Sequence, residues 1–189
     1  MAADFPSLVS LACHDLRTPL ATVSGFAKTL TRVEGVDDKI ARYLGLMETA
    51  SEQLAELLEE LAVAARIAGG RYDPAPREVD TLELARGVAE RVDGVEVAGS
   101  GGSVEVDVDA VERALAGFAS CLRRHGPVDA VRVEAAGEGL RLGPVTEAAA
   151  PIVLGEELRD LGSAVGRMVV EARGGTVSVA DETLVVRLS

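Results

Sequence analysis

His14 is followed by residues that can serve its chemistry: Asp15, Arg17 and Thr18 lie within the next turn of chain. A neutral imidazole is a nucleophile that can form a covalent phosphoryl intermediate. It must be exposed for a second protein's phosphoryl group to reach it in line. The adjacent Asp15 can hold the other ring nitrogen and fix the tautomer. On a helix, Thr18 falls one turn after His14 on the same face, where its hydroxyl can position a water. The set suits accepting a phosphoryl group or hydrolysing one carried by a partner. Cys13 beside His14 does not suggest a metal pair, because neighbours at i and i+1 do not share a helix face. No metal site is expected.

These side chains need a scaffold that turns His14 outward. Over residues 5–33 the apolar set is Val9, Ala12, Leu16, Pro19, Val23, Phe26, Leu30 and Val33. Steps of three and four predict a helix with one narrow apolar seam. His14 lies about 200° around that helix from Ala12, on the solvent side. Pro19 removes a backbone hydrogen bond and is expected to kink the helix after the His14 turn. Gly35 reads as its stop and Asp37 as the cap of a second helix over 38–68. The second seam is Ile40, Leu44, Met47, Ser51, Leu54, Leu58, Leu61 and Ala65, with Gly69 and Gly70 as the end signal. One hairpin of two such helices cannot cover its own seams. Two hairpins packed as a four-helix bundle can, so a homodimer is expected.

The chain beyond the hairpin reads differently. Residues 71–78 hold two prolines and form a linker. A short helix over 81–92 follows, then strands at Val95–Val97 and Val104–Val108 around a glycine-rich break. A helix capped by Asp109 runs to about Arg124, with His125 at its end, where an imidazole suits the dipole. Strands are predicted at Val131–Ala135 and Leu140–Leu142, and a helix over Glu156–Arg173. Thr176–Ala180 and Thr183–Leu188 close as a hairpin. Interleaved helices and short strands predict a two-layer α/β sandwich, so the fold class is α+β. The expected domains are residues 1–70 and residues 71–189.

Composition narrows the function classes. Of 189 residues, 48% are hydrophobic and only 3% aromatic, so the core must be aliphatic. A net charge of −12 disfavours nucleic acid and anionic membrane surfaces as partners. No run approaches membrane-spanning length and no signal-peptide pattern opens the chain. Two cysteines are too few for a disulfide framework, and a cytoplasmic location is the default expectation.

The string His14-Asp15-Leu16-Arg17-Thr18-Pro19-Leu20 resembles the H box of sensor histidine kinases. The resemblance implies that His14 is the phospho-accepting residue. It also implies that Asp15 assists proton transfer and that Thr18 orients water for phosphatase action. Partners would be response-regulator receiver domains, docking along helix 1. Residues 5–33 carry Arg17, Lys28 and Arg32 against Asp15 alone among charged positions, a basic strip that could meet a receiver's acidic, Mg²⁺-holding pocket.

The resemblance continues through residues 78–92, Asp107–Pro127 and Asp160–Thr176, and breaks at the nucleotide positions. Where the family's N box has two asparagines four apart, this chain has Gly117 and Cys121, neither a hard oxygen ligand for Mg²⁺. No adenine-binding aspartate stands between Leu142 and Ile152. Too few residues separate Ile152 from Asp160 for a lid, and Asp160 sets a negative charge where phosphates would lie. ATP is therefore not expected as a cofactor, and the sandwich is expected to be a degenerate catalytic-like domain. The leading expectation is a histidine phosphotransfer protein, with receiver phosphatase activity as a variant. A non-enzymatic dimeric adaptor and an ATP-dependent sensor kinase are the alternatives.

Overall fold

The computed structural model describes residues 5–33 and 37–188, so Gly35, the expected stop of helix 1, lies outside them. Contacts divide the chain into two compact units, one up to Arg71 and one from Tyr72. Among the described residues no helix is long and apolar enough to cross a membrane.

The first unit is an antiparallel hairpin of α1 (Phe5–Thr31) and α2 (Asp38–Ala68). Asp37 caps α2 by accepting from the Lys39 amide at 2.9 Å. Gly69 donates to the Ala65 carbonyl, and Gly70 takes a left-handed φ of +63°, which ends the helix as glycine allows.

Each helix carries two apolar stripes rather than one. Inside the hairpin, Cys13 and Ala27 of α1 are buried, and so are Leu44, Ser51, Ala62, Val63 and Ala65 of α2. The expected α1 seam faces outward instead: Leu16, Val23, Phe26, Leu30 and Val33 are 45–66% exposed. The α2 seam splits, with Leu44, Ser51 and Ala65 turned inward. Ile40, Met47, Leu54 and Leu61 of the same seam are 40–53% exposed. A seven-residue period marks both stripes equally and does not say which one meets the partner helix.

The second unit begins with β1 (Arg77–Asp80), α3 (Thr81–Arg91), β2 (Val95–Gly101) and β3 (Ser103–Val106). Next come α4 (Val108–His125), β4 (Val131–Gly137), β5 (Gly139–Gly143), the short α5 (Ala150–Val153) and α6 (Leu161–Glu171). β6 (Thr176–Ala180) and β7 (Thr183–Arg187) close the chain. Five strands form a sheet in the order β2-β4-β5-β7-β6, with β2 and β4 parallel and the other pairs antiparallel; β1 and β3 pair separately. Val131, Val133, Leu140, Leu142, Leu184 and Val186 point to one face and are buried, while Arg132, Arg141 and Arg187 on the other are exposed. That face packs under Leu84 and Val88 of α3 and Leu115, Phe118 and Leu122 of α4 in one core. The result is the expected two-layer sandwich.

Some local expectations need correction. Asp107, not Asp109, caps α4, accepting from the Ala110 amide at 3.2 Å. The last long helix starts at Leu161 rather than Glu156, because Asp160 caps it through the Ser163 amide at 3.0 Å. The short α5 begins at Ala150 with Pro151 in its first turn, which periodicity over so few residues could not show. The β6–β7 hairpin closes on Asp181 and Glu182, both left-handed at φ +49° and +57°, as a two-residue turn requires.

Candidate functional site

The His14 turn sits midway along α1, with alternate fates for neighbouring side chains. Cys13 points into the hairpin and is 1% exposed, which anchors this turn against α2. His14 and Asp15 point outward, their side chains 79% and 68% exposed. His14 Nδ1 lies 3.2 Å from Asp15 Oδ1. A proton on Nδ1 shared with Asp15 leaves the lone pair on Nε2, facing solvent. Pro19 has no N–H to offer the Asp15 carbonyl, so the turn bearing His14 lacks one helical bond. Thr18 is exposed, and its carbonyl accepts from the Thr22 hydroxyl at 3.1 Å.

The basic strip is only partly what its sequence suggests. Arg17 ion-pairs with Glu59 of α2, which also meets Arg66 at 3.3 Å. Lys28 lies 3.0 Å from Glu52 and 3.7 Å from Glu48. Its hydrogen bond to Glu52 is the main cause of its raised pKa. Arg32 is exposed just beyond α1 and has no ion pair among the described residues. Acids on α2 thus offset most of the charge counted on α1 alone.

In the second unit, Gly117, Cys121 and Asp160 meet where α4 packs on α6. A Cβ at Gly117 would stand 2.8 Å from the Gly162 carbonyl oxygen, and one at Gly166 would stand 2.9 Å from that of Ala114. The two helices are therefore in backbone contact. Asp160 is 6% exposed; Oδ1 caps α6 while Oδ2 accepts from Arg124 at 2.6 Å. His125 Nε2 lies 3.3 Å from the same oxygen but is buried and makes no hydrogen bond. Cys121 is fully buried, and burial pushes its thiol up to about 11, the Asp160 charge adding and the Ser163 hydroxyl opposing. The i,i+4 spacing of Cys121 and His125 was legible in the sequence. Their meeting with Asp160 was not, since it depends on how α6 lies against α4.

Comparison with known proteins places these features. Residues 7–70 match the family described as the His Kinase A (phospho-acceptor) domain. The probable sensor histidine kinase TcrY of Mycobacterium tuberculosis is 30% identical over 91 residues, 48% of this chain and 18% of that protein. The sensor protein KdpD of Mycobacterium tuberculosis is 29% identical over 208 residues, covering 93% of this chain and 24% of that one. The chain thus spans a quarter or less of the length of these curated relatives. Among solved structures, full-length ShkA in complex with AMPPNP superposes with a TM-score of 0.70 at 21% identity, over 96% of this chain and 44% of that one. The hairpin thus matches a phospho-acceptor domain, and the sandwich that follows has the fold of the histidine kinase ATPase domain. Residues 7–70 are a His Kinase A phospho-acceptor domain, and the chain as a whole is similar to sensor proteins of the histidine kinase type.

Proposed function

We propose that this chain is a histidine phosphotransfer protein that exchanges a phosphoryl group between His14 and aspartates of response-regulator receiver domains, without using ATP. The observation that carries the reading is the contrast between its two units. One presents His14 exposed and oriented by Asp15. In the other, α4 and α6 touch through their backbones at Gly117 and Gly166, and the start of α6 is already neutralised by Asp160. A helix N-terminus binds phosphate through free amides and a positive dipole. Here the chain's own carboxylate occupies that role, and Cys121 replaces an oxygen ligand for Mg²⁺.

The chemistry needs no nucleotide, because the acyl phosphate on a receiver aspartate is already activated. The lone pair on His14 Nε2 attacks phosphorus, the P–O bond to the aspartyl carboxylate breaks, and that carboxylate stays on the receiver. The ring becomes cationic, and Asp15 beside Nδ1 stabilises the charge. Thr18, exposed on the same side, would direct a water for receiver dephosphorylation. The outward stripes on α1 and α2 support a dimeric bundle, since so many exposed apolar side chains call for a partner. Arg17, Lys28 and Arg32 remain the proposed docking strip, with Arg32 its most available charge.

Incubation with a phosphorylated receiver domain should place acid-labile phosphate on this chain, and His14→Ala should abolish it. No transfer from any receiver with His14 intact would favour the dimeric adaptor instead. The names of the relatives favour a second reading, an ATP-dependent sensor histidine kinase. Calorimetry separates the two: a saturable isotherm with ATP and Mg²⁺ would overturn the nucleotide-free reading.

A further inference from the structure

We propose that Cys121, His125 and Asp160 form a binding site for one zinc-type divalent transition-metal ion inside the α/β unit. Among the described residues these three bring a thiol, an imidazole nitrogen and a carboxylate oxygen within 4.8 Å of one another. The site does not depend on the phosphotransfer reading, because it uses no residue of the hairpin.

The donor set is specific. Thiolate and imidazole suit zinc and its neighbours, whereas Mg²⁺ and Ca²⁺ prefer oxygen alone. Cys121 and His125 are one turn apart on α4, so one face presents both. Metal bonds of about 2.0–2.3 Å in a tetrahedron set donor atoms roughly 3.3–3.7 Å apart. His125 Nε2 and Asp160 Oδ2 already stand 3.3 Å apart, at that spacing. The Nε2 atom is buried yet makes no hydrogen bond, although buried ring nitrogens ordinarily have a partner. A metal ion would supply that partner. Asp160 can serve it without uncapping α6, because Oδ1 holds the Ser163 amide while Oδ2 faces His125.

Charge also closes. A divalent ion with one thiolate and one carboxylate is neutral, which suits a buried position. Arg124 now neutralises Asp160, and its side chain is 64% exposed, so it can turn into solvent as the ion enters. The fourth position would then hold water on the side that Arg124 vacates.

The test uses the full chain, stripped with a chelator and titrated with Co²⁺. We expect one Co²⁺ per chain, a near-ultraviolet thiolate-to-cobalt band, intense tetrahedral d–d absorption, and displacement by Zn²⁺. Cys13→Ser should keep the charge-transfer band and Cys121→Ser should lose it. His125→Ala should weaken Zn²⁺ binding at least tenfold with the circular dichroism unchanged. If Cys121→Ser does not fold, His125→Ala decides, since that ring sits at the end of α4 rather than in the sheet core. Absence of the band in the parent protein, its survival in Cys121→Ser, or parental Zn²⁺ affinity in His125→Ala would overturn the proposal.

Discussion

Replacing Gly117 with alanine should destabilise the α/β unit, although the same change in an open helix stabilises. Two effects compete. Alanine gains roughly 0.5–1 kcal/mol over glycine in a helix interior. Against this, the new Cβ would lie 2.8 Å from the Gly162 carbonyl oxygen and 2.9 Å from its carbon, both backbone atoms. Ordinary contact begins roughly half an ångström farther out. Relief requires α6 to slide away from α4, which strains the Asp160 contacts to Arg124 and His125 at its first turn. Overpacking of this kind costs about 1–3 kcal/mol, so the net should be a loss of about 1–2 kcal/mol, near the middle of the difference. Gly25→Ala is the matched control: it lies inside α1, with nothing within 4 Å of the added methyl. That variant should gain about 0.5–1 kcal/mol. Urea unfolding followed by far-ultraviolet circular dichroism measures both. A Gly117→Ala protein as stable as its parent would show that α4 and α6 separate easily. It would also remove the main support for a closed nucleotide site.

Further expectations concern the hairpin. Phe26→Glu with Leu54→Glu places charges on both outward stripes and should convert a dimer to a monomer, read by light scattering. Lys28→Glu should lower hairpin stability as well as transfer, because it sets a third acid beside Glu48 and Glu52. Arg32→Glu should slow transfer from a phosphorylated receiver alone, with the effect shrinking as salt rises over a screening length of about 8 Å at physiological ionic strength. Equal transfer rates for Arg32→Glu and parent at low salt would exclude the strip. Thr18→Ala should still accept phosphate at His14 while losing any receiver phosphatase activity, measured as inorganic phosphate release.

The legible parts of this chain are those in which local chemistry decides. The bounds of α2 follow from Asp37 as cap and Gly69-Gly70 as stop, both visible in sequence. The β6–β7 hairpin follows from two alternating apolar runs with two residues between them. The exposure of His14 follows from helical phase, although by a route that needs amending. The predicted seam of α1 faces outward, since one hairpin does not cover it, and a second stripe through Cys13, beside His14, faces α2. His14 is exposed because it lies off both stripes. The sequence alone starts α6 too early, at Glu156, because Leu158 adds an apolar residue ahead of Leu161. Asp160 caps in extended conformation and so cuts the pattern off. Ion pairs across the hairpin, such as Arg17 with Glu59, join residues far apart in sequence, and counting charge on one helix misses them.

The first residue of the α6 turn decides which sign of ligand that corner accepts. A bare helix N-terminus carries about half a positive charge and draws anions. Asp160 reverses this, and its second oxygen extends the negative charge toward Cys121 and His125. On the proposed nucleotide-free reading, helix closure and charge are separate obstacles to a nucleotide, and Asp160→Asn separates them. Asparagine caps a helix about as well as aspartate, and the exposed Arg124 side chain can turn to water, so stability should change little. Zn²⁺ affinity should fall at least tenfold, because a neutral amide replaces a charged ligand. ATP should still give no calorimetric isotherm, since the Gly117–Gly162 contact is untouched. Saturable ATP binding by Asp160→Asn would show that charge alone had closed the site, and that α4 and α6 open readily once it is gone.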